Sequence, residues 1–341
     1  MLRIGDLLLK AGLLIAKAVT ERVLVPGTPR VTLSTLAGWR YPVYLLNALA
    51  GASVVGIHWR DVAAAWRALP GDLFWRRVRI ASFMPIESRG VLIRDDQYGH
   101  PMACRRTIQL ERRYYSAPRG PDLFVLPYFA HPDFYQQGMA DVARRLAGRA
   151  GPRAVTLFFS GTVDGEHYAA AARFAILTRP PIIEHLEQRL AAAALAGLKA
   201  RTELFTIHDV SPQARHRFTL PEFLARLAGA DFCLCPPGCG MPHSHNLIEA
   251  MAVGTIPITN YAQFMSPPLR HGVDCLAFET LDELDRVLEL LATIDQATVT
   301  RMRQGVMDYY ARYLAPPAAG ERLLAALPAS ARIAVNDETG R

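Results

Sequence analysis

The sequence predicts an α/β protein built from two parallel-sheet domains. Three observations point there. Short apolar runs alternate with helical stretches along most of the 341 residues, the order that buries a parallel sheet between helices. Hydrophobic residues make up 51% of the chain, enough for two cores at this length. The stretch ADFCLCPPGCGMPHSHNLIEAMAVGTIPI, residues 230–258, reads as strand, Pro/Gly loop, helix and strand. That unit presents an anion site in open α/β sheets.

Taken in order, residues 1–25 are apolar at helical spacing (Leu2, Leu8, Leu9, Leu13, Ile15, Val19). Asp6, Lys10 and Lys17 interrupt the run, so it lacks the apolar length of a spanning helix. No small-residue cleavage site follows it. It reads either as an amphipathic helix on a membrane face or as a helix packed on a domain. A first α/β domain is expected over 31–150, with strands at 31–36, 53–58, 91–94 and 122–127 and helices such as 44–50 and 62–69. Residues 146–154, rich in Gly, Pro and Arg, read as a linker. A second domain over 151–300 opens with a buried-looking strand at 155–159. A long Ala/Leu-rich helix at 182–198, a strand at 202–208 and a helix at 221–227 follow. Then come the 230–258 unit and a helix at 281–291. Residues 301–341 form a helix and tail, helical from 301 to 314.

Net charge is +7 and pI about 9.3. Surface arginine explains this, as would an acidic substrate or an anionic membrane face. No Lys/Arg block with interleaved aromatics and no zinc-finger or RNA-binding signature occurs, so nucleic acid is not an expected partner. Five cysteines, Cys104, Cys233, Cys235, Cys239 and Cys275, form no regular framework and read as free thiols in a reducing compartment. Cys233 and Cys235 alternate on one face of a strand, where small thiols pack well. His243 and His245 stand too close together for a second zinc-ligand pair. No metal and no cofactor is expected. No P-loop motif occurs.

The 230–258 unit supplies the candidate binding residues. Ser244 stands where a helix N-cap belongs. The backbone N–H groups of Ser244, His245 and Asn246 would face a phosphate at the positive end of the helix dipole. Glu249, the one acid among apolar neighbours, is placed to accept the hydroxyls of a ribose. His245 lies four residues before it, on the same helix face. Gly238 and Gly240 are turn glycines that also let a ligand approach backbone. Ser160, Gly161 and Thr162 end the first strand of the second domain, where ligands sit in such sheets. Thr259 and Asn260 follow the strand after the Glu249 helix and border the same place. Arg153, Arg173 and Arg179 are either phosphate neutralisers or solvated surface.

FCLCPPG followed by SHNLIEAMAVGTIPI resembles the signature of exostosin-like glycosyltransferases, and PDLFVLPYFA at 121–130 is similar to a second motif of that family, in the family's order. TLFFSGT, between them, resembles the strand and glycine loop that open the family's nucleotide-binding domain. The likeness spans roughly 114–278. It implies the GT-B fold, two Rossmann-like domains facing an inter-domain cleft. It also implies sugar transfer from a nucleotide-sugar donor to a glycan or lipid-linked glycan acceptor, without a bound metal. The family's Pro-Arg after the Ser is here His245-Asn246, so His245 or another base must neutralise the diphosphate. PLRHGVDCLAFETLDEL at 268–284 instead resembles the tail of retaining GT-B glycosyltransferases. An inverting reaction needs a base for the acceptor hydroxyl; His131 and Asp133 after LFVLPY, then Asp96 beside Asp95, and then His58, are the candidates. A retaining reaction needs none.

The chain is therefore expected to be a metal-independent glycosyltransferase. It would be cytoplasmic and would rest on the inner membrane through residues 1–25. The same fold would also serve a sugar-nucleotide epimerase or hydrolase, or a non-catalytic relic that holds a glycan or nucleotide.

Overall fold

A computed structural model describes residues 4–24, 29–34, 41–84, 90–95, 102–149, 151–164, 168–208 and 218–336. In chain order the elements are α1 (Ile4–Leu24), β1 (Val31–Ser34), α2 (Tyr41–Ala52), β2 (Val55–Ile57), α3 (Val62–Ala68), α4 (Gly71–Arg77), β3 (Val78–Ile80), β4 (Val91–Arg94), β5 (Arg106–Glu111), β6 (Leu123–Val125), α5 (Pro132–Gln136), α6 (Met139–Ala147), β7 (Val155–Thr162), α7 (Arg179–Ala191), α8 (Ala196–Lys199), β8 (Thr202–Ile207), α9 (Leu220–Ala228), β9 (Ala230–Leu234), α10 (His245–Ala252), β10 (Ile256–Thr259), β11 (Leu276–Ala277), α11 (Leu281–Thr293), α12 (Gln296–Tyr309), α13 (Pro316–Ala326) and β12 (Arg332–Ala334). The chain divides into two compact units. Unit 1 comprises Met1–Pro127, Pro132–Gly138 and Tyr313–Glu338; unit 2 holds Tyr128–His131 and Met139–Arg312. Both are Rossmann-like, as the α/β reading predicts.

Unit 1 carries a seven-stranded parallel sheet in the order β3-β2-β1-β4-β5-β12-β6. β1 is buried along its whole length, as expected for a strand covered by helices on both faces. The last strand in sequence, β12, sits between β5 and β6. α13 precedes it and packs on α2 at very short range. A Cβ on Gly320 would lie 2.0 Å from the Ala48 carbonyl oxygen, and one on Gly51 3.1 Å from Pro317 N. At Gly320 only glycine lets the backbones approach so closely, while at Gly51 a methyl would press Pro317 back by a few tenths of an ångström. β3, β5 and β12 are not among the strands expected from sequence. They are short or carry arginines at their ends.

Unit 2 carries a five-stranded parallel sheet, β11-β10-β9-β7-β8. The order reverses between β7 and β9, which is where doubly wound sheets open a crevice for ligands at their strand C-termini. β9 is buried throughout, with Cys233 and Cys235 1% and 0% exposed. The helix expected over 182–198 begins earlier, at Arg179, and breaks at Ala192, whose backbone is extended with ψ 139. At the start of β9, Arg303 of α12 pairs with Asp231. Arg153 donates to Ala230 O at 2.7 Å, Thr255 Oγ1 at 2.7 Å and Val253 O at 2.9 Å. Arg153 thus binds the strand to the turn after α10 and is not a phosphate ligand. Burial lowers its pKa to about 10.

Gly320→Ala should destabilise unit 1 by roughly 1–3 kcal/mol, because backbone rather than a movable side chain blocks the new methyl; a thermal-unfolding midpoint equal to wild type would refute the close helix approach. Acid should loosen β12. Arg332 bonds Asp122 at 3.2 Å and lies 3.5 Å from Glu111. The Arg332 hydrogen bond lowers the Asp122 pKa, and Arg113 first, with Arg332 adding, lowers that of Glu111. Depressed carboxylate pKa values add stability above the unfolded values of 3.8 and 4.5 that is lost as pH falls through the folded ones. Protection of the β12 amides, measured against their intrinsic exchange rates, should fall below about pH 4, and Arg332→Met should flatten that dependence.

Candidate anion site at the turning point of the second sheet

The strand ends that flank the turning point are 160–162 on β7 and 235–238 after β9. α10 starts from the loop between β9 and itself. Six of its eight residues are buried, so its course is fixed by apolar packing and only its first turn is partly open. Asn246 ties that turn to β7, donating from Nδ2 to Ser160 O at 2.9 Å. The sequence-predicted Ser160 and Asn246 therefore do meet.

Ser244 holds the N-cap position with extended backbone (φ −123, ψ 141), but its side chain makes no cap hydrogen bond. This corrects the expected capping role. The hydroxyl instead accepts from Arg179 Nη2 at 3.4 Å, and Ser244 N donates to the Tyr261 hydroxyl at 3.3 Å. A helix start without its side-chain cap leaves N–H donors for an anion.

Arg179 opens α7 and is only 5% exposed. Its Nε donates to Pro237 O at 3.1 Å. Nη1 donates to Thr162 O at 3.3 Å and to the Tyr168 hydroxyl at 2.6 Å. The guanidinium thus joins the end of β7, the loop after β9 and the cap of α10. Among the described residues no carboxylate lies within ion-pair distance of it. Burying a cation against neutral oxygens alone is costly, and a bound anion would offset that cost. Gly161 makes room for it: a Cβ there would stand 3.0 Å from Arg179 Nη1. Thr162 Oγ1 also bonds Tyr168 Oη. Arg173 is exposed and reaches Gly240 O at 3.3 Å.

The glycines differ. A Cβ on Gly238 would meet His243 O at 2.5 Å, so the loop's own backbone demands glycine there. Gly240 faces open space. Thr259 is fully buried and its Oγ1 accepts from Tyr261 N at 3.4 Å. Asn260 is 3% exposed and donates to Leu177 O at 2.8 Å. Both act as framework beside the site. Burial pushes the Tyr261 hydroxyl and the Cys235 thiol well above their ordinary pKa values, so both stay neutral.

α10 also grips the segment Tyr128–His131. His245 Nδ1 lies 3.1 Å from Phe129 O. A carbonyl only accepts, so Nδ1 carries the proton, and in the neutral ring Nε2 accepts from the Tyr128 hydroxyl at 3.2 Å. One turn on, Glu249 Oε1 accepts from His131 N at 3.1 Å. Glu249 is 4% exposed. His243 and His245 stack on Tyr128 at 5.1 and 5.0 Å, and His131 meets His245 edge-on at 5.3 Å. The two stretches singled out by sequence, 121–130 and 244–249, are thus joined directly.

The remaining candidate bases are Asp133, Asp96 and His58. Asp133 is exposed on the first turn of α5 in unit 1. Asp96 lies outside the described residues. Its neighbour Asp95 is 2% exposed and bonds Arg112 at 2.8 and 3.0 Å, a structural pairing. His58 Nδ1 accepts from Arg60 N at 3.2 Å and so caps a short turn. A groove of about 580 Å³ lined by His271, Phe278, Glu283 and Arg286 contains none of the site residues. Sequence reading missed Tyr128 and Tyr168 and undervalued Arg179; the signal for Arg179 is its place at the first turn of a helix that follows β7.

No protein-family model matches the chain, and no curated protein matches it. Solved structures do. A Listeria monocytogenes protein assigned as a UDP-N-acetylglucosamine 2-epimerase aligns over 89% of this chain and 96% of its own, at 10% identity and TM-score 0.43. AviGT4, a glycosyltransferase involved in avilamycin A biosynthesis, aligns over 87% and 96%, at 14% identity and TM-score 0.40. Anabaena Alr3699/HepE, solved with UDP and glucose, aligns over 88% and 99%, at 11% identity and TM-score 0.38. Likenesses this distant carry no assignment of activity.

Glu249→Ala should cost about 2–4 kcal/mol by stranding the His131 N–H and opening a cavity, whereas Glu249→Gln, which keeps an acceptor oxygen, should stay within about 1 kcal/mol of wild type. Urea unfolding of the two variants decides it, and equal losses would remove the hydrogen bond from its role.

Proposed function

We propose that the protein is a glycosyltransferase that binds a nucleotide-sugar donor in unit 2. The observation that carries this is the buried Arg179 guanidinium, without a carboxylate partner among the described residues, beside the uncapped start of α10 at the turning point of the sheet. A diphosphate matches it: a planar fork on one side and helix N–H groups on the other. The exostosin-like motifs in the same loop and helix support the glycosyl-transfer reading. Charge developing on the departing diphosphate would be stabilised by these fixed donors. His245, whose ring is held by Phe129 O and Tyr128, and His131 beside it border this turn. The ribose hydroxyls meet the Glu249 region. His131 serves as base if transfer inverts. The acceptor is a glycan or lipid-linked glycan, and residues 1–25 rest on a membrane face.

Thermal unfolding against UDP, GDP, CMP and ADP sugars tests the donor site. At a hundred times its dissociation constant a donor stabilises by about 2.7 kcal/mol. One nucleotide class should shift wild type, and Arg179→Lys, which keeps charge but loses the fork, should weaken that donor at least about tenfold. No shift with any nucleotide would overturn the reading. Nucleotide release that requires a glycan acceptor identifies transfer; release without one points to a hydrolase, and conversion of the donor sugar to its epimer to the epimerase.

A further inference from the structure

At the other end of the second sheet three arginines crowd one carboxylate. Arg153 stands before β7, Arg201 stands before β8, and Asp231 is the second residue of β9. All lie at strand N-termini, away from the candidate donor site at the C-termini. Arg303 reaches them from α12. Its Nη2 pairs with Asp231 Oδ1, and Arg201 Nη2 lies 4.0 Å from Oδ2. Arg201 also follows the backbone before β7, with Nη2 donating to Arg153 O at 3.2 Å and Nε to Ala154 O at 3.5 Å. Burial raises the Asp231 pKa above its ordinary value, against the pull of Arg303, Arg153 and Arg201.

The charges here do not balance. Among the described residues Asp231 is the only carboxylate within ion-pair distance of these arginines, so three cations against one anion leave a formal +2. Arg153 and Arg303 are 9% and 8% exposed, and excess charge held out of water is costly. Burial first, and then repulsion from Arg303, lowers the Arg153 pKa. Nor are the donors used up. Arg303 Nε is buried with no hydrogen-bond partner, and Nη1 of both Arg201 and Arg303 donates to none of the described residues. The Arg201 side chain is 54% exposed, so the cluster opens to solvent on that side. An ion pair at the start of β9 accounts for Arg303 with Asp231; it does not account for two further arginines around the same carboxylate.

A dianion would restore the balance. A phosphate, free or as a monoester, carries roughly −1.5 to −2 at pH 7, and its oxygens suit guanidinium donors. A phosphodiester or a carboxylate brings one charge only. We propose that Arg201 and Arg303, backed by the field of Arg153, form a second anion site of unit 2 that takes a phosphate dianion. The site goes beyond the donor reading and does not depend on it.

The test follows the thermal-unfolding midpoint of the full chain in sodium phosphate against sodium chloride of equal ionic strength, because a ligand of the native state raises it. Phosphate should raise the midpoint above the chloride control. Arg201→Met should weaken the apparent phosphate affinity at least about tenfold, and Arg201→Lys, which keeps the charge and loses the fork, should weaken it less. Asp231→Asn removes the competing carboxylate and should tighten phosphate roughly tenfold or more, so that a chain destabilised in chloride is rescued in phosphate. A loss in Asp231→Asn that phosphate does not repair would leave the cluster a structural ion pair and overturn the proposal. A response that survives Arg201→Met but disappears in Arg179→Lys also overturns it, by giving the ion to the donor site. Phosphate acting without phenyl phosphate assigns the free ion, and both acting assigns a monoester; either supports the site. Dimethyl phosphate, singly charged, should have no effect, and an equal response to it overturns the dianion. No response in wild type overturns the site even where nucleotides still bind, since Arg179 lies at the opposite strand ends.

Discussion

Two side chains one helical turn apart, His245 and Glu249, hold the backbone of Tyr128–His131 to α10, and the candidate site depends on that grip. The helix carries the N–H groups that would face a diphosphate. Its start is fixed from one side by Asn246 on Ser160 and by Arg179 against Ser244. From the other it is fixed by the stacked rings of Tyr128, His243 and His245. A carboxylate at 249 does more than wait for a ligand: it positions a neighbouring backbone. Glu249 thus combines a structural load with the binding role proposed for it, so a simple alanine scan would conflate the two.

The electrostatics follow the same division. Arg303, Arg201 and Arg189 each find a carboxylate in unit 2, and Arg153 is buried in a cage of oxygens close to Asp231. Arg179 is caged too, but among the described residues by neutral oxygens and the face of the Tyr168 ring, 4.3 Å away, rather than by a carboxylate. A protein built solely for stability would pair or expose such a cation. Its persistence at the opening of α10 is the kind of local cost expected where a ligand completes the structure.

Much of this was legible in the sequence, for identifiable reasons. β7 and β9 are apolar runs ending in Gly or Pro, and the Ser244–Glu249 helix start is marked by loop residues before and apolar residues after. The two motif stretches were read separately, and nothing in their spacing announces that one grips the other. β5, with its Arg106 and Glu111 ends, does not look like an interior strand, and β12 is three residues long. The Ala/Leu run after Arg179 hides the break at Ala192, because helix propensity is uniform across it. Arg179 does not stand out from Arg153 and Arg173 in the sequence, because an arginine is usually a solvated one. In α1 the periodicity was plain but its polarity was not: lysines held by carbonyl and indole groups turn inward, leaving leucine and isoleucine outside.

The position of β12 has a further consequence for how the molecule is made. About 200 residues separate β6 from β12 in the chain, and at ribosomal speed they take roughly 10–40 s to appear. Until then β5 and β6 have no strand between them, and their facing edges carry unpaired N–H and C=O groups. Unit 2 has all five of its strands in hand well before that. The second unit to emerge is therefore the first able to finish folding. During the interval unit 1 is a sheet with a gap, open to any extended segment that can pair there, and a chaperone that shields that gap would matter more to yield than one that acts on unit 2.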